Sequence, residues 1–132
     1  MRMGFLAISI ALALGGCAGS PVGINSDTPQ QLMAENSGDL CRAYAVFHKN
    51  EVLQELIRRG AVRPDFVVFV RSGQIAIGMN QWEVRAVQQY AYSVNRTVTS
   101  GGVTEQWVYA NANGLAYLYV YFTNGIVTAY QD

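Results

Sequence analysis

From residue 92 onward the sequence alternates with period two, and tight-turn motifs interrupt the alternation at short intervals. The motifs are Ser100-Gly101-Gly102, Asn111-Ala112-Asn113-Gly114 and Thr123-Asn124-Gly125. Gly-Gly and Asn-Gly pairs between alternating runs favour hairpins. They separate four runs, residues 92–99, 103–110, 115–122 and 126–131. Consecutive strands joined by tight turns pair antiparallel, so the sequence predicts a three- to four-stranded meander.

The third run, LAYLYVYF, has two different apolar faces. Side chains alternate across a strand, so Leu118, Val120 and Phe122 share one face. We expect helices to cover that aliphatic face. The outward face would then present an aromatic patch for a protein partner, with the candidate residues Trp107, Tyr109, Tyr117, Tyr119 and Tyr121. Because both faces are apolar, the reverse arrangement with buried tyrosines stays equally open.

Residues 29–63 carry helical patterns. Pro29 to Asn36 allows one short helix, and Ser37 is a candidate N-cap for a helix that ends at Phe47. Asn50 is a second candidate N-cap, for a helix with an apolar stripe that ends before Gly60. Two short helices with a tight link predict an αα-hairpin.

Between this hairpin and the strands, the patterns are shorter. Residues 64–70 (PDFVVFV) are ambiguous, since β-branched residues favour a strand whereas Pro-Asp favours a helix start. Asn80 followed by Glu83 forms a capping box that predicts a helix to about Gln89. The fold class is therefore α+β, with short helices before a helix and a meander.

The amino terminus has the features of an export signal. Arg2 precedes the apolar run FLAISIALAL at residues 5–14, which is shorter than the roughly 20 residues that span a bilayer. The next residues, Leu14-Gly15-Gly16-Cys17, resemble the lipobox of bacterial lipoproteins. That resemblance implies cleavage after residue 16 and lipidation of Cys17. Because residue 18 is Ala rather than Asp, it also implies sorting to the outer membrane, on its periplasmic face.

The remaining residues divide the chain and limit its chemistry. Small and polar residues from 17 to 28 predict a flexible tether, followed by the helical segment 29–63 and an α+β unit 64–132. Nine basic and nine acidic residues make no basic stripe for nucleic acid. Cys41 and His48 suggest a metal site or a nucleophile pair, but a buried cysteine and a surface histidine are the stronger interpretation.

Two charged groups have a similar choice of interpretations. Arg58, Arg59, Arg63 and Arg71 form either a patch for an acidic partner or solvated helix ends. Glu51 and Glu55 share one helix face and are expected to be solvated beside arginines. The sequence shows no nucleophile, base and acid set, metal spacing or phosphate loop. We therefore expect no enzyme activity, no cofactor and no metal.

Four motifs in the second half occur in a characteristic order. They are Ile77-Gly78-Met79-Asn80, Glu83-Val84, Glu105-Gln106-Trp107-Val108-Tyr109, and Tyr119 to Val127 (YVYFTNGIV). Over residues 74–131 the chain resembles the SmpA/OmlA (BamE-like) lipoproteins. The resemblance implies helices against a three-stranded sheet. In the type member it implies an accessory, non-enzymatic role in outer-membrane β-barrel assembly.

The chain departs from that family in two places. Val87-Gln88-Gln89-Tyr90-Ala91 stands where the family has Leu-Gly-x-Pro, and residues 40–60 are extra. The small fold also resembles β-lactamase-inhibitory proteins. We expect a non-catalytic outer-membrane lipoprotein, anchored through Cys17, that binds an envelope protein. The alternative is a periplasmic inhibitor or ligand-binding module that uses the sheet face.

Overall fold

The structure, a computed structural model, describes residues 20–132. The predicted export signal and Cys17 lie outside the described residues. Within residues 20–132, six helices precede the sheet: α1 (Pro21–Ser26), α2 (Pro29–Leu32), α3 (Ser37–Phe47), α4 (Asn50–Arg58), α5 (Val67–Ser72) and α6 (Gln81–Gln88). A 3-10 turn, Pro64–Phe66, leads into α5. No helix within residues 20–132 has the length and apolarity to cross a membrane.

The carboxyl-terminal half forms the predicted antiparallel meander. Its four strands lie side by side in chain order: β1 (Ser93–Thr99), β2 (Gly102–Ala110), β3 (Ala116–Thr123) and β4 (Ile126–Gln131). Each boundary is within one residue of the sequence prediction, because hairpin turns and alternation are local signals. The α+β class and the order of helices before the meander are confirmed.

The two ambiguities left by the sequence resolve in favour of a helix and a covered aliphatic face. Residues 64–72 are helical despite their β-branched residues, as Pro at the first turn favours. Leu118, Val120 and Phe122 are buried beneath the helices. The helices cover one face of the sheet and leave the other open.

The α3–α4 hairpin is confirmed, with caps one residue earlier than predicted. Asn36, not Ser37, caps α3 by accepting a hydrogen bond from the Asp39 amide at 2.9 Å. The α4 N-cap position is Lys49 rather than Asn50, and its side chain makes no cap bond. Gly60 has the predicted positive φ, 74°.

The prediction of a flexible tether is wrong for its described part. Residues 21–26 form α1, which packs on α3 and buries Ile24 completely. Ser20 caps α1, and Lys49 donates to the carbonyls of Asn25 and Asp27, each at 2.9 Å. The two apolar residues of this segment, Val22 and Ile24, do not have helical spacing, so the local sequence indicates a linker although the tertiary structure holds it as a helix.

One hydrophobic core joins the helical segment to the sheet. It runs from Ile24 through the helices to Val127, with α3 packed directly on α6. Residues 63 and 64 therefore do not separate two structural units.

A buried ion pair fastens α6 to the preceding turn. Glu83, fully buried, accepts two hydrogen bonds from the Arg63 guanidinium and one from the Arg63 amide. It also accepts from the Asn80 amide at 2.7 Å, which completes the predicted capping box. All of its hydrogen bonds are internal to the fold, so this carboxylate has a structural role.

Candidate functional site

One face of the sheet is not covered by any helix of the described chain. Residues paired across the strands share a face, so the register places the side chains that alternate with Leu118, Val120 and Phe122 on this surface. The resulting open face consists of Ser93, Asn95, Thr97, Thr104, Gln106, Val108, Tyr119, Tyr121, Ala129 and Gln131.

The open face carries no charge. From Ser93 to Gln131 the only charged residues are Arg96 and Glu105. They are cross-strand partners on the opposite, inner face, with 3.7 Å between Arg96 Nε and Glu105 Oε1. Depletion of charge is typical of the central part of a protein interface.

A row of hydrogen bonds crosses all four strands on the open face. Asn95 Nδ2 donates to Gln106 Oε1 at 2.9 Å, and Gln106 Nε2 donates to the Tyr121 hydroxyl at 3.1 Å. The Tyr121 hydroxyl in turn donates to Gln131 Oε1 at 2.9 Å. These bonds limit side-chain motion, which reduces the entropy lost when a partner binds.

Only two of the five predicted patch residues, Tyr119 and Tyr121, lie on the open face. Both are half-buried between their strand neighbours. Trp107 and Tyr109 are buried on the inner face, so their assignment to an outward patch is wrong. The reason is register: Trp107 pairs with Val120 and Tyr109 with Leu118, and both partners belong to the core.

Tyr117 is 51% exposed and lies at the end of the sheet, at the border of the open face. The register between β2 and β3 shifts at Tyr109 and Ala110, and a bulge of this kind redirects the neighbouring side chain. The Tyr117 hydroxyl donates to Gln88 Oε1 of α6 at 3.4 Å. Tyr117 therefore lies at the helix-covered end of the sheet, although strict alternation places it with Tyr119.

Beneath the sheet, Arg85 is surrounded by aromatic rings. Its guanidinium carbon lies 5.2 Å from the ring centres of Trp82 and Trp107 and 5.6 Å from that of Tyr90. These cation–π contacts hold α6 on β2. No local pattern predicts this cluster, because Trp107 on β2 is far along the chain from Trp82, Arg85 and Tyr90.

Cys41 and His48 do not assemble into a reactive pair. Cys41 is buried, as predicted, and its Sγ donates to the Trp82 carbonyl at 3.4 Å. Burial raises the pKa of Cys41 to about 12, so the thiolate nucleophile is scarce. His48 is an exposed left-handed residue at the end of α3 whose ring lies against Tyr44.

The four arginines serve intramolecular contacts. Arg58 and Arg59 both bind Glu55, at 2.7 and 2.8 Å, Arg63 binds Glu83, and Arg71 approaches Asn50 Oδ1 at 3.4 Å. Glu55 is buried rather than solvated. Hydrogen bonds from Arg58 and Arg59 lower the pKa of Glu55 to about 2. Within residues 20–132 no three His, Cys, Asp or Glu side chains converge on a possible metal position.

Searches against models of protein families, against curated proteins and against solved structures found no match to this chain.

Proposed function

We propose that this chain is a non-catalytic lipoprotein of the outer membrane, anchored through Cys17, whose open face binds a protein partner in the periplasm. The absence of charge on the open face is the observation that carries the proposal. A sheet face exposed only to water gains solubility from charged side chains, whereas an interface excludes them.

The size of the open face suggests a weak or transient contact. Three strand spacings of about 4.8 Å and about six residues per strand give a flat area of roughly 14 by 20 Å. Stable complexes bury about 800 Å² on each partner, which is more than twice this area. Attachment of both proteins to one membrane would raise their effective concentration and compensate for a small interface.

The proposed anchor lies close to the fold. Since α1 begins at Pro21, four residue steps separate Cys17 from the first helix, and the extended chain reaches about 14 Å over that distance. A lipid on Cys17 would therefore hold the domain next to the bilayer surface. A partner near the membrane, rather than deep in the periplasm, fits this reach.

Site-specific photocrosslinking in intact cells tests the proposed interface. A photoreactive residue at Thr97, on the open face, should give one discrete adduct with a membrane-associated protein. The same residue at Val68, exposed on α5, should not. Tyr119→Asp should abolish the Thr97 adduct, because it places an unpaired charge in the contact.

One outcome would contradict the proposal, and another would favour the alternative function. Adducts that persist in Tyr119→Asp, or that are the same at positions 97 and 68, would show that the open face has no specific partner. A discrete adduct with one soluble periplasmic enzyme would favour the inhibitor function instead.

A further inference from the structure

Two neighbouring cavities open at the end of the sheet where β1 and β3 begin and where β2 and β4 end. The smaller has a volume of about 320 Å³ and the larger about 550 Å³. Gln88 and Tyr117 contribute to both cavities, so the two adjoin at these side chains. Each volume lies in the range of small-ligand sites, about 300–1,000 Å³.

A residue that lines the smaller cavity, Tyr109, carries a buried hydroxyl without a partner within residues 20–132. Tyr109 is 2% exposed, and among the described residues its hydroxyl has no hydrogen-bond partner. Burial raises the pKa of Tyr109. The positive charge of the neighbouring Arg85 acts in the opposite direction, and the neighbouring Tyr117 adds to the increase. Buried polar groups are nearly always paired, so a ligand group that reaches this hydroxyl through a small movement of the neighbouring side chains would satisfy it.

The backbone beside this hydroxyl is strained. Gln89 ends α6 with φ 66° and ψ −138°, a region that is almost restricted to glycine. The strained residue directs the chain from Gln88 to Tyr90 along the wall of the smaller cavity. Strain of this kind concentrates at ligand-binding positions.

The chemistry of the walls indicates the class of ligand. The smaller cavity is lined by four tyrosines and two glutamines and carries no charged side chain, and the larger adds the carboxylate of Asp132. Because no cationic side chain lines either cavity and a carboxylate lines the larger one, an anionic ligand is disfavoured. Tyrosine faces accept the electropositive C–H edges of a ring, while amides and a carboxylate accept hydrogen bonds from hydroxyl groups.

A proline-rich peptide also binds tyrosine-lined grooves, but it fits these walls less well. Tertiary amides are acceptors and have no donor for Asp132 or for the glutamine carbonyls. A sugar ring offers both donors and acceptors. We propose that these cavities bind a neutral pyranose unit of a glycan, stacked on the tyrosine rings and hydrogen-bonded to Tyr109 and Gln88.

The test measures binding of chitotetraose and cellotetraose, two neutral oligosaccharides, to the full-length protein in detergent by calorimetry. Tyr109→Phe removes the orphan hydroxyl and keeps the ring. We expect it to raise the melting temperature of the free protein and to weaken binding of the better oligosaccharide at least about fivefold. Tyr44→Phe, a buried position in α3 outside both cavities, should leave affinity unchanged.

A second variant keeps the test decisive if Tyr109→Phe fails to fold. Tyr92→Ala truncates a cavity residue that is 72% exposed, so it spares the core and should also weaken binding. The proposal is overturned if neither oligosaccharide binds or if both variants bind like the parent. It is equally overturned if decaproline binds and the sugars do not, which would assign the cavities to proline-rich peptides.

Discussion

Gly102 has a backbone conformation and surroundings that disfavour any side chain. Its φ is 135°, and a Cβ placed there would lie 2.5 Å from Asn124 Oδ1. That oxygen accepts a hydrogen bond from the Val103 amide at 2.9 Å. The backbone N–H of Asn124 also donates to the Val103 carbonyl at 2.7 Å. These two hydrogen bonds connect the β1–β2 and β3–β4 turns.

We expect Gly102→Ala to reduce the free energy of unfolding by about 1–3 kcal/mol, because it adds backbone strain and breaks the contact between the turns. Gly101→Ala is the matched control: the nearest atom to its added Cβ is 3.7 Å away. Urea denaturation of both variants measures the difference. Equal losses would show that the close approach of Asn124 does not matter.

Glu55 makes a pH-dependent contribution to stability. Arg58 and Arg59 lower the pKa of Glu55 from 4.5 to about 2. A carboxylate with a lowered folded-state pKa stabilises the fold fully above its unfolded pKa and loses this effect as the pH falls towards the folded value. The ion pairs should therefore weaken between pH 4.5 and pH 2.

The difference in unfolding free energy between the parent and Glu55→Gln isolates this contribution. At pH 7 we expect a difference of about 1–3 kcal/mol, which shrinks steadily below pH 4.5. Glu51→Gln, exposed on the same helix, should show no such trend. A parent–variant difference that stays constant down to pH 3 would disprove the assignment.

At the scale of elements, the contribution of α1 to stability tests whether the folded domain begins before Pro29. Ile24→Ala should cost about 2–4 kcal/mol of stability, since the side chain is wholly buried. Val22→Ala, at a residue 70% exposed on the same helix, should change stability by less than about 0.5 kcal/mol. Thermal unfolding measures the stability of both variants. If neither substitution changes stability, residues 21–26 are a tether and not part of the fold.

The helices and strands also show which sequence signals were sufficient to predict where an element begins and ends. The Asn80 and Glu83 capping box and the three hairpin turns act within a few residues, so the α6 start and the four strands were predicted to within one residue. The ion pair of Arg63 with Glu83 was not predicted, because no local pattern relates residues twenty positions apart.

For the whole molecule, the proposed anchor on Cys17 would act together with the open face. Cys17→Ser removes the thiol that we propose takes the lipid, so we expect unprocessed precursor and no incorporation of labelled palmitate. Arrest of processing by a signal peptidase II inhibitor in the parent protein is the positive control. Normal processing and membrane association of the variant would eliminate the proposed anchor.

If Cys17 is lipidated, the short distance to α1 also limits how the domain presents its open face. A tether of a dozen residues would let the face sample every orientation, whereas about 14 Å of chain allows few. Insertion of a flexible ten-residue spacer after Ala18 extends the crosslinking experiment. The spacer keeps the open face intact and changes only how far that face can move from the membrane surface.

The sequence alone determined the strands, their order, the capped helix before them and the lipobox pattern, because each depends on residues that are neighbours along the chain. Tertiary structure alone decided which side of the sheet is covered. Both faces of β3 are apolar, so alternation separates them without ranking them. Packing in the shared core buries Trp107 and Tyr109, and the bulge beside Tyr117 accompanies the contact of its hydroxyl with Gln88 of α6.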